Sequence, residues 1–223
     1  MTGKLKGART RFTNNSLSHA SKEYLKRQSA DPYVRKAHAQ GYRSRAAYKL
    51  LEVLEKEPFL KPGMTVVDLG CAPGGWCQVA MDIVGEEGTV VGIDLLPTEP
   101  IAGVVLLEAD FMADEGQAAL YAELPEGAAC KVDAVISDMA ANTVGHRETD
   151  GMRTMALVEM AEWFALEHVK EGGVFLAKLF MNGEEKALME RLRPHFAKVK
   201  FIKPHASRAD SREIYILAVG RKD

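Results

Sequence analysis

Four runs rich in β-branched residues each close on an aspartate: residues 64–69 around Asp68, 89–94 at Asp94, 104–109 before Asp110, and 132–138 at Asp138. Ligands of open α/β sheets sit outside the carboxyl ends of the strands, so acids lined along that rim form a site for a cation and for ribose hydroxyls. A fifth run, Val174–Phe180, is apolar on both faces, as a central strand is, apart from Lys178. Burying an ammonium costs several kcal/mol unless an acid pairs with it or its pKa falls, which makes Lys178 a candidate base or charge partner beside Asp138.

The ligand is narrowed by the turn after the first run, Gly70-Cys71-Ala72-Pro73-Gly74-Gly75-Trp76. A dinucleotide fingerprint needs a second glycine two residues after the first, and a P-loop needs lysine after its last glycine. Ala72 and Trp76 stand there instead. What remains is a bare glycine turn and a strand-end carboxylate, followed by a helix presenting its N-terminus, with no side chain for phosphate. Asp94, at the next strand end, is placed to receive ribose hydroxyls. Adenosine together with a positive centre points to S-adenosylmethionine.

Stepping along the chain, helices are expected at 44–56, 75–84, 114–124 and 152–170, and from Asn182 as cap to about Arg193. Asp150 is placed to cap the 152–170 helix, with Met155, Met160, Trp163 and Leu166 in the core. Gly172-Gly173 restarts the sheet. Strands at 198–203 and 213–220 follow, joined by a short polar loop with Arg208 and Arg212, which makes them antiparallel neighbours. Alternating strands and helices mean a mostly parallel α/β sheet with helices on both faces.

The segment Asp68-Leu-Gly-Cys-Ala-Pro-Gly-Gly-Trp76, followed by Asp94-Leu-Leu-Pro97, resembles the FtsJ/RrmJ (RlmE) family of ribosomal RNA 2′-O-ribose methyltransferases, from about residue 30 to the C-terminus. The resemblance implies a Rossmann-like class I SAM-dependent methyltransferase with a seven-stranded sheet. It implies a Lys-Asp-Lys-Glu tetrad at Lys49, Asp138, Lys178 and Glu213, in the contexts Ser-Arg-Ala-Ala-Tyr-Lys, Val-Ile-Ser-Asp, Phe-Leu-Ala-Lys and Ser-Arg-Glu-Ile-Tyr. It implies cofactor contacts at Gly74, Trp76, Asp94, Asp110 and Asp138, with Asp68 and Gly70 shaping the pocket. Read by themselves, Lys49 is a solvated lysine beside a helical stripe and Glu213 an exposed strand-initial acid. Cys71 stands where many relatives carry alanine.

The net charge of −2 conceals an asymmetry, since residues 1–50 hold twelve Lys/Arg against Glu23 and Asp31. A basic arm (1–42) on an acidic catalytic domain (43–223) suits a polyanion, and Tyr24, Tyr33, Tyr42 and Tyr48 among the bases suit stacking on RNA or anchoring of the arm to the domain. Three cysteines without C-x-x-C spacing point to no structural zinc and a reducing compartment, and no apolar run spans a membrane. The expected place is the cytoplasm and the default state a monomer. The Asp138-Met-Ala-Ala sequence lacks the Pro-Pro-Tyr of amine methyltransferases, Cys130 precedes its strand where a C5-pyrimidine nucleophile would follow, and His146 reads as a solvated loop residue. The resemblance to the bacterial branch implies a uridine of large-subunit (23S) ribosomal RNA in the assembled subunit. The alternatives are another RNA such as tRNA, or a non-catalytic ribosome-assembly module.

Overall fold

The computed structural model describes residues 31–125, 127–140, 147–181, 183–208 and 211–223. Among them the chain runs α1 (Pro32–Ala39), α2 (Ala46–Lys56), β1 (Thr65–Leu69), α3 (Gly75–Val84), β2 (Thr89–Asp94), β3 (Val104–Glu108), α4 (Asp114–Glu123), β4 (Val132–Ser137), α5 (Arg147–His168), β5 (Val169–Phe180), α6 (Glu185–Leu192), β6 (Phe196–Ile202) and β7 (Glu213–Arg221). The strands form one sheet in the order β3-β2-β1-β4-β5-β7-β6. Strands β1 to β5 are parallel, and β7 is antiparallel to both β5 and β6. Two apolar clusters, one on each face, bury the helices against it.

The order reverses between β1 and β4, so the turns that follow these two strands flank the crevice where an open sheet takes its ligand. Register sets the acids in tiers. Asp68 pairs with Gly92 and with Ile136, which leaves Asp94 and Asp138 two residues further toward the rim, and even spacing keeps a side chain on one side. The expectation of four acids level at the strand ends is therefore corrected, since Asp68 lies inside β1 and is fully buried.

Four other expectations change. Pro32–Ala39 is a helix, in a region read as arm: Asp31 caps it by accepting from the Tyr33 amide at 2.9 Å, and Pro32 occupies the first turn. The helix read at 152–170 runs Arg147–His168, so Asp150 falls inside it and does not precede it. Trp163 is exposed, because Ala161 faces the sheet and a residue two further on points about 200° round the helix. Val169 already pairs with Val132, and the next pair is Ala134 with Val174, so Gly172-Gly173 is a loop-out within β5 and not its start. His146 and Asn182 lie outside the described residues.

Gly116, in the first turn of α4, shows which of two effects decides a substitution. Alanine is favoured over glycine in a helix by about 1 kcal/mol. A Cβ there would lie 1.9 Å from the main-chain oxygen of Asp110, so backbone must move. Gly116→Ala is expected to lower the melting temperature by several degrees, by overpacking of about 1–3 kcal/mol. A thermal melt followed by circular dichroism that rises instead would show helix propensity to dominate.

Candidate active site

The rim of the sheet beside the crevice brings together Lys49, Asp138, Lys178 and Glu213, which stand far apart in the chain. Lys178 projects from the end of β5, buried, and its Nζ lies 2.9 Å from Asp138 Oδ1. It also donates to the Asp138 main-chain oxygen. Lys49, from α2, lies 3.7 Å from Asp138 Oδ2 and 2.9 Å from Glu213 Oε2. Two carboxylates and two ammoniums thus alternate around one small volume, and the cluster is neutral in sum. Burial pushes the Asp138 carboxyl up, and Lys178 and Lys49 beside it more than reverse that, leaving it below the usual carboxylate range.

Two further side chains complete the cluster. Tyr215 donates its hydroxyl to Asp138 Oδ1 at 2.7 Å and lies 3.4 Å from Glu213 Oε1. Burial and these two carboxylates push its phenol well above the ordinary value, so it stays a donor. Ser207 donates to Glu213 Oε1 at 2.7 Å. Neither was among the residues singled out in the sequence. Tyr215 carried a signal nonetheless, because it follows Glu213 by two along a strand and must share its side. Ser207 carried none, as its place depends on the turn before β7. That turn is held by Glu52, which accepts from the Ala206 amide through both oxygens at 3.1 Å.

The glycine turn fills the other side of the crevice. Gly70 has φ +80°, and a Cβ there would meet Met139 Cγ at 2.3 Å, with Met139 following directly on Asp138. Gly74, at φ +104°, caps α3 without a side chain, which leaves the first amides of that helix open toward the crevice. Asp94 accepts from the Ala72 amide and the Leu96 amide, both at 2.9 Å, so it ties the turn to β2. Asp110 accepts from the Met112 amide at 2.8 Å in a local turn and is exposed. The Trp76 indole is buried, donates to the Ala46 oxygen at 2.8 Å and packs on Tyr215, with ring centroids 5.7 Å apart. Its side chain is thus committed inward, and the main chain at the helix start is what it can offer a ligand.

Asp68 accepts from the Cys77 thiol at 3.2 Å, and its other oxygen has no partner. Burial pushes this carboxyl up to about 7. With a raised folded value, the folded chain keeps a proton that the unfolded chain releases near the usual carboxylate pKa. The group therefore costs stability increasingly as pH rises from about 4 toward 7, and the cost levels off above. Urea midpoints are expected to favour Asp68→Asn over the wild type by a margin that widens from pH 5 to 7; a constant margin would place the carboxyl at an ordinary pKa.

A seven-stranded sheet in this order, with an antiparallel final hairpin and a glycine turn at its reversal point, defines a class I methyltransferase of Rossmann-like fold. The family model described as FtsJ-like methyltransferase matches residues 42–221. A protein from Erythrobacter litoralis named ribosomal RNA large subunit methyltransferase E is 53% identical over 99% of this chain and 98% of its own. Its namesake from Hyphomonas neptunium is 50% identical over 98% and 91%. The crystal structure of a putative ribosomal RNA methyltransferase from Plasmodium falciparum superposes with a TM-score of 0.71 at 28% identity, covering 81% of this chain and 98% of that one. The chain belongs to the FtsJ-like methyltransferase family.

Proposed function

We propose that the protein transfers a methyl group from S-adenosylmethionine to a ribose 2′-hydroxyl of large-subunit ribosomal RNA, with Lys178, Asp138, Lys49 and Glu213 as its catalytic residues. The observation that carries this is the buried Lys178 ammonium held at 2.9 Å by Asp138 at the mouth of the crevice, with Lys49 and Glu213 closing the cluster.

The residues around the glycine turn fit such a donor. Three buried polar atoms there lack a hydrogen-bond partner: Asp68 Oδ1, Ser44 Oγ and Thr98 Oγ1. Ser44 Oγ lies 2.7 Å from a Cβ built on Gly75, and the Thr98 methyl lies 3.3 Å from one built on Gly74. Hydrogen-bonding capacity is thus left over at the turn; among the described residues the other buried atom without a partner is Arg221 Nε, at the far end of β7. Gly70 and Gly74 offer a ligand bare backbone once the side chains of Met139 and Ile101, which now close on them, swing aside, and the Trp76 amide belongs to the helix start. Asp94 would take the ribose hydroxyls, Asp110 the adenine amino group, and Asp68 and Asp138 the positive end. Once bound, the donor supplies a methyl group activated on a sulfonium.

The chain's own residues supply position and charge, which dominate a displacement of this kind. A 2′-hydroxyl is a weak nucleophile, so it has to be polarised or relieved of its proton. The Lys178 ammonium donates to that oxygen, orients it and steadies the negative charge it gains as its proton leaves; Lys178 takes that proton itself only from its amine form, once it has given up one of its own. Asp138 fixes the Lys178 head, and Tyr215 fixes Asp138. Lys49, held by Glu213, lays a second positive charge against the sugar-phosphate backbone.

The RNA side draws on the exposed bases Arg208 and Arg212 on the loop before β7, and on the basic arm. Residues 31–42 of that arm pack on α2 through Tyr33, Tyr42 and Tyr48. Packed in this way, the three tyrosines serve the second role that the sequence left open for them, anchoring the arm to the domain. No helix among the described residues is long and apolar enough to cross a membrane. Free, buried thiols at Cys71, Cys77 and Cys130 suit a reducing compartment, the cytoplasm.

Ser207→Ala tests the support of the cluster. Loss of one buried hydrogen bond to a charged group is worth about 1.5–3 kcal/mol, part of which is expected as a roughly tenfold fall in kcat with the cofactor Kd unchanged. An unchanged kcat would show that Lys49 and Tyr215 suffice to orient Glu213.

A further inference from the structure

Twelve bases in the first fifty residues read together as phosphate contacts, yet Arg43 is spent differently. Its guanidinium faces main-chain carbonyls of two separate loops. Nη1 donates to Pro73 O at 3.4 Å and to Glu99 O, and Nη2 to Pro100 O at 2.6 Å. Its own amide donates to Gln78 Oε1 at 2.9 Å, and Gln78 Nε2 donates back to Gly41 O at 3.0 Å, so the strap carrying Arg43 is pinned to α3. The loops it joins are the glycine turn and the segment that follows Asp94. They meet at Gly74, where a Cβ would lie 2.6 Å from Ile101 Cδ1, 3.3 Å from Thr98 Cγ2 and 3.4 Å from Arg43 Nη1.

We infer that Arg43 is a positioning residue for the cofactor: a latch that holds the 98–101 segment against the glycine turn and so fixes the distance between Asp94 and the bare backbone at Gly74. A guanidinium suits this because its planar fork serves several acceptors at once, whereas an ammonium serves as a point charge. A phosphate contact would use the same charge but present the fork outward. The inference rests on the cofactor assignment proposed above.

The test is isothermal titration of S-adenosylmethionine into the full-length wild type, Arg43→Ala and Arg43→Lys, with KM for ribosomal RNA measured at two salt concentrations and melting temperatures alongside. The expected result is a cofactor Kd weaker by about tenfold in R43A and by about fivefold in R43K, because lysine keeps the charge and loses the fork. The RNA KM and its salt dependence are expected to stay near wild type, and kcat at saturating cofactor to fall far less than cofactor affinity. R43K decides the matter if R43A fails to fold. Cofactor binding unchanged in R43K overturns the latch. So does a weaker RNA KM in R43A with the salt slope reduced by about one, the mark of a lost phosphate contact. A wild type that binds no S-adenosylmethionine at all defeats the cofactor assignment itself, and the latch with it.

Discussion

Lys178→Ala is expected to cut methyl transfer by about 10³-fold or more while S-adenosylmethionine still binds, since the group lost is the one proposed to meet the nucleophile. Two effects compete in this variant, and the geometry separates them. Removing a lysine from a buried pair can unfold a site by orphaning its acid. Here Asp138 keeps Lys49 at 3.7 Å and the Tyr215 hydroxyl at 2.7 Å, so its charge stays partnered. The fold therefore survives and the loss appears in chemistry. Lys178→Met, closer in volume, controls for the cavity that alanine leaves. Single-turnover methylation beside calorimetric cofactor binding checks the split, and methylation retained within about tenfold would remove Lys178 from the mechanism.

Asp138→Asn should behave in the opposite way, losing stability together with activity. Lys49 keeps Glu213 at 2.9 Å, whereas Lys178, buried in β5, is left with a main-chain oxygen and a neutral amide oxygen but no carboxylate to balance its charge. Breaking a buried pair from one side costs about 3–5 kcal/mol, or roughly 10 °C in melting temperature for a domain of this size. The double variant Asp138→Asn with Lys178→Met removes both charges, so it should melt higher than the single asparagine variant. Additive losses would mean that the two side chains do not depend on each other. The wild type should also lose an acid-side contribution that the asparagine variant lacks. Asp138 is held below the usual range, so its stabilisation is present above about pH 4 and disappears as pH falls through the folded value.

Much of the architecture was legible because buried parallel strands write themselves as short β-branched runs, and here each run met an acid or a glycine turn at its end. Lys178 was legible as a problem: an ammonium inside an apolar strand demands a carboxylate. Which carboxylate it takes depends on β4 lying beside β5, a matter of strand order that local spacing does not contain. Lys49 and Glu213 read by themselves as solvent-facing, and they came into view only through resemblance to a family. Helix α1 lies in the stretch read as arm although Asp31-Pro32 is a cap followed by a first-turn proline, because eight residues are too few to show an apolar period. Trp163 was misplaced because apolar residues were gathered along α5 without following their angle round it. Ser207 reaches the Glu213 carboxylate through the geometry of the loop before β7, and Arg43 works through main-chain oxygens of two loops; no residue pattern announces either.

The most direct measurement incubates the protein with methyl-labelled S-adenosylmethionine and ribosomal RNA, digests the RNA to nucleosides and identifies the labelled product by mass spectrometry. The account predicts label on a 2′-O-methylnucleoside, absent with Lys178→Ala. Label on a base, or label on ribose undiminished by that substitution, would contradict it.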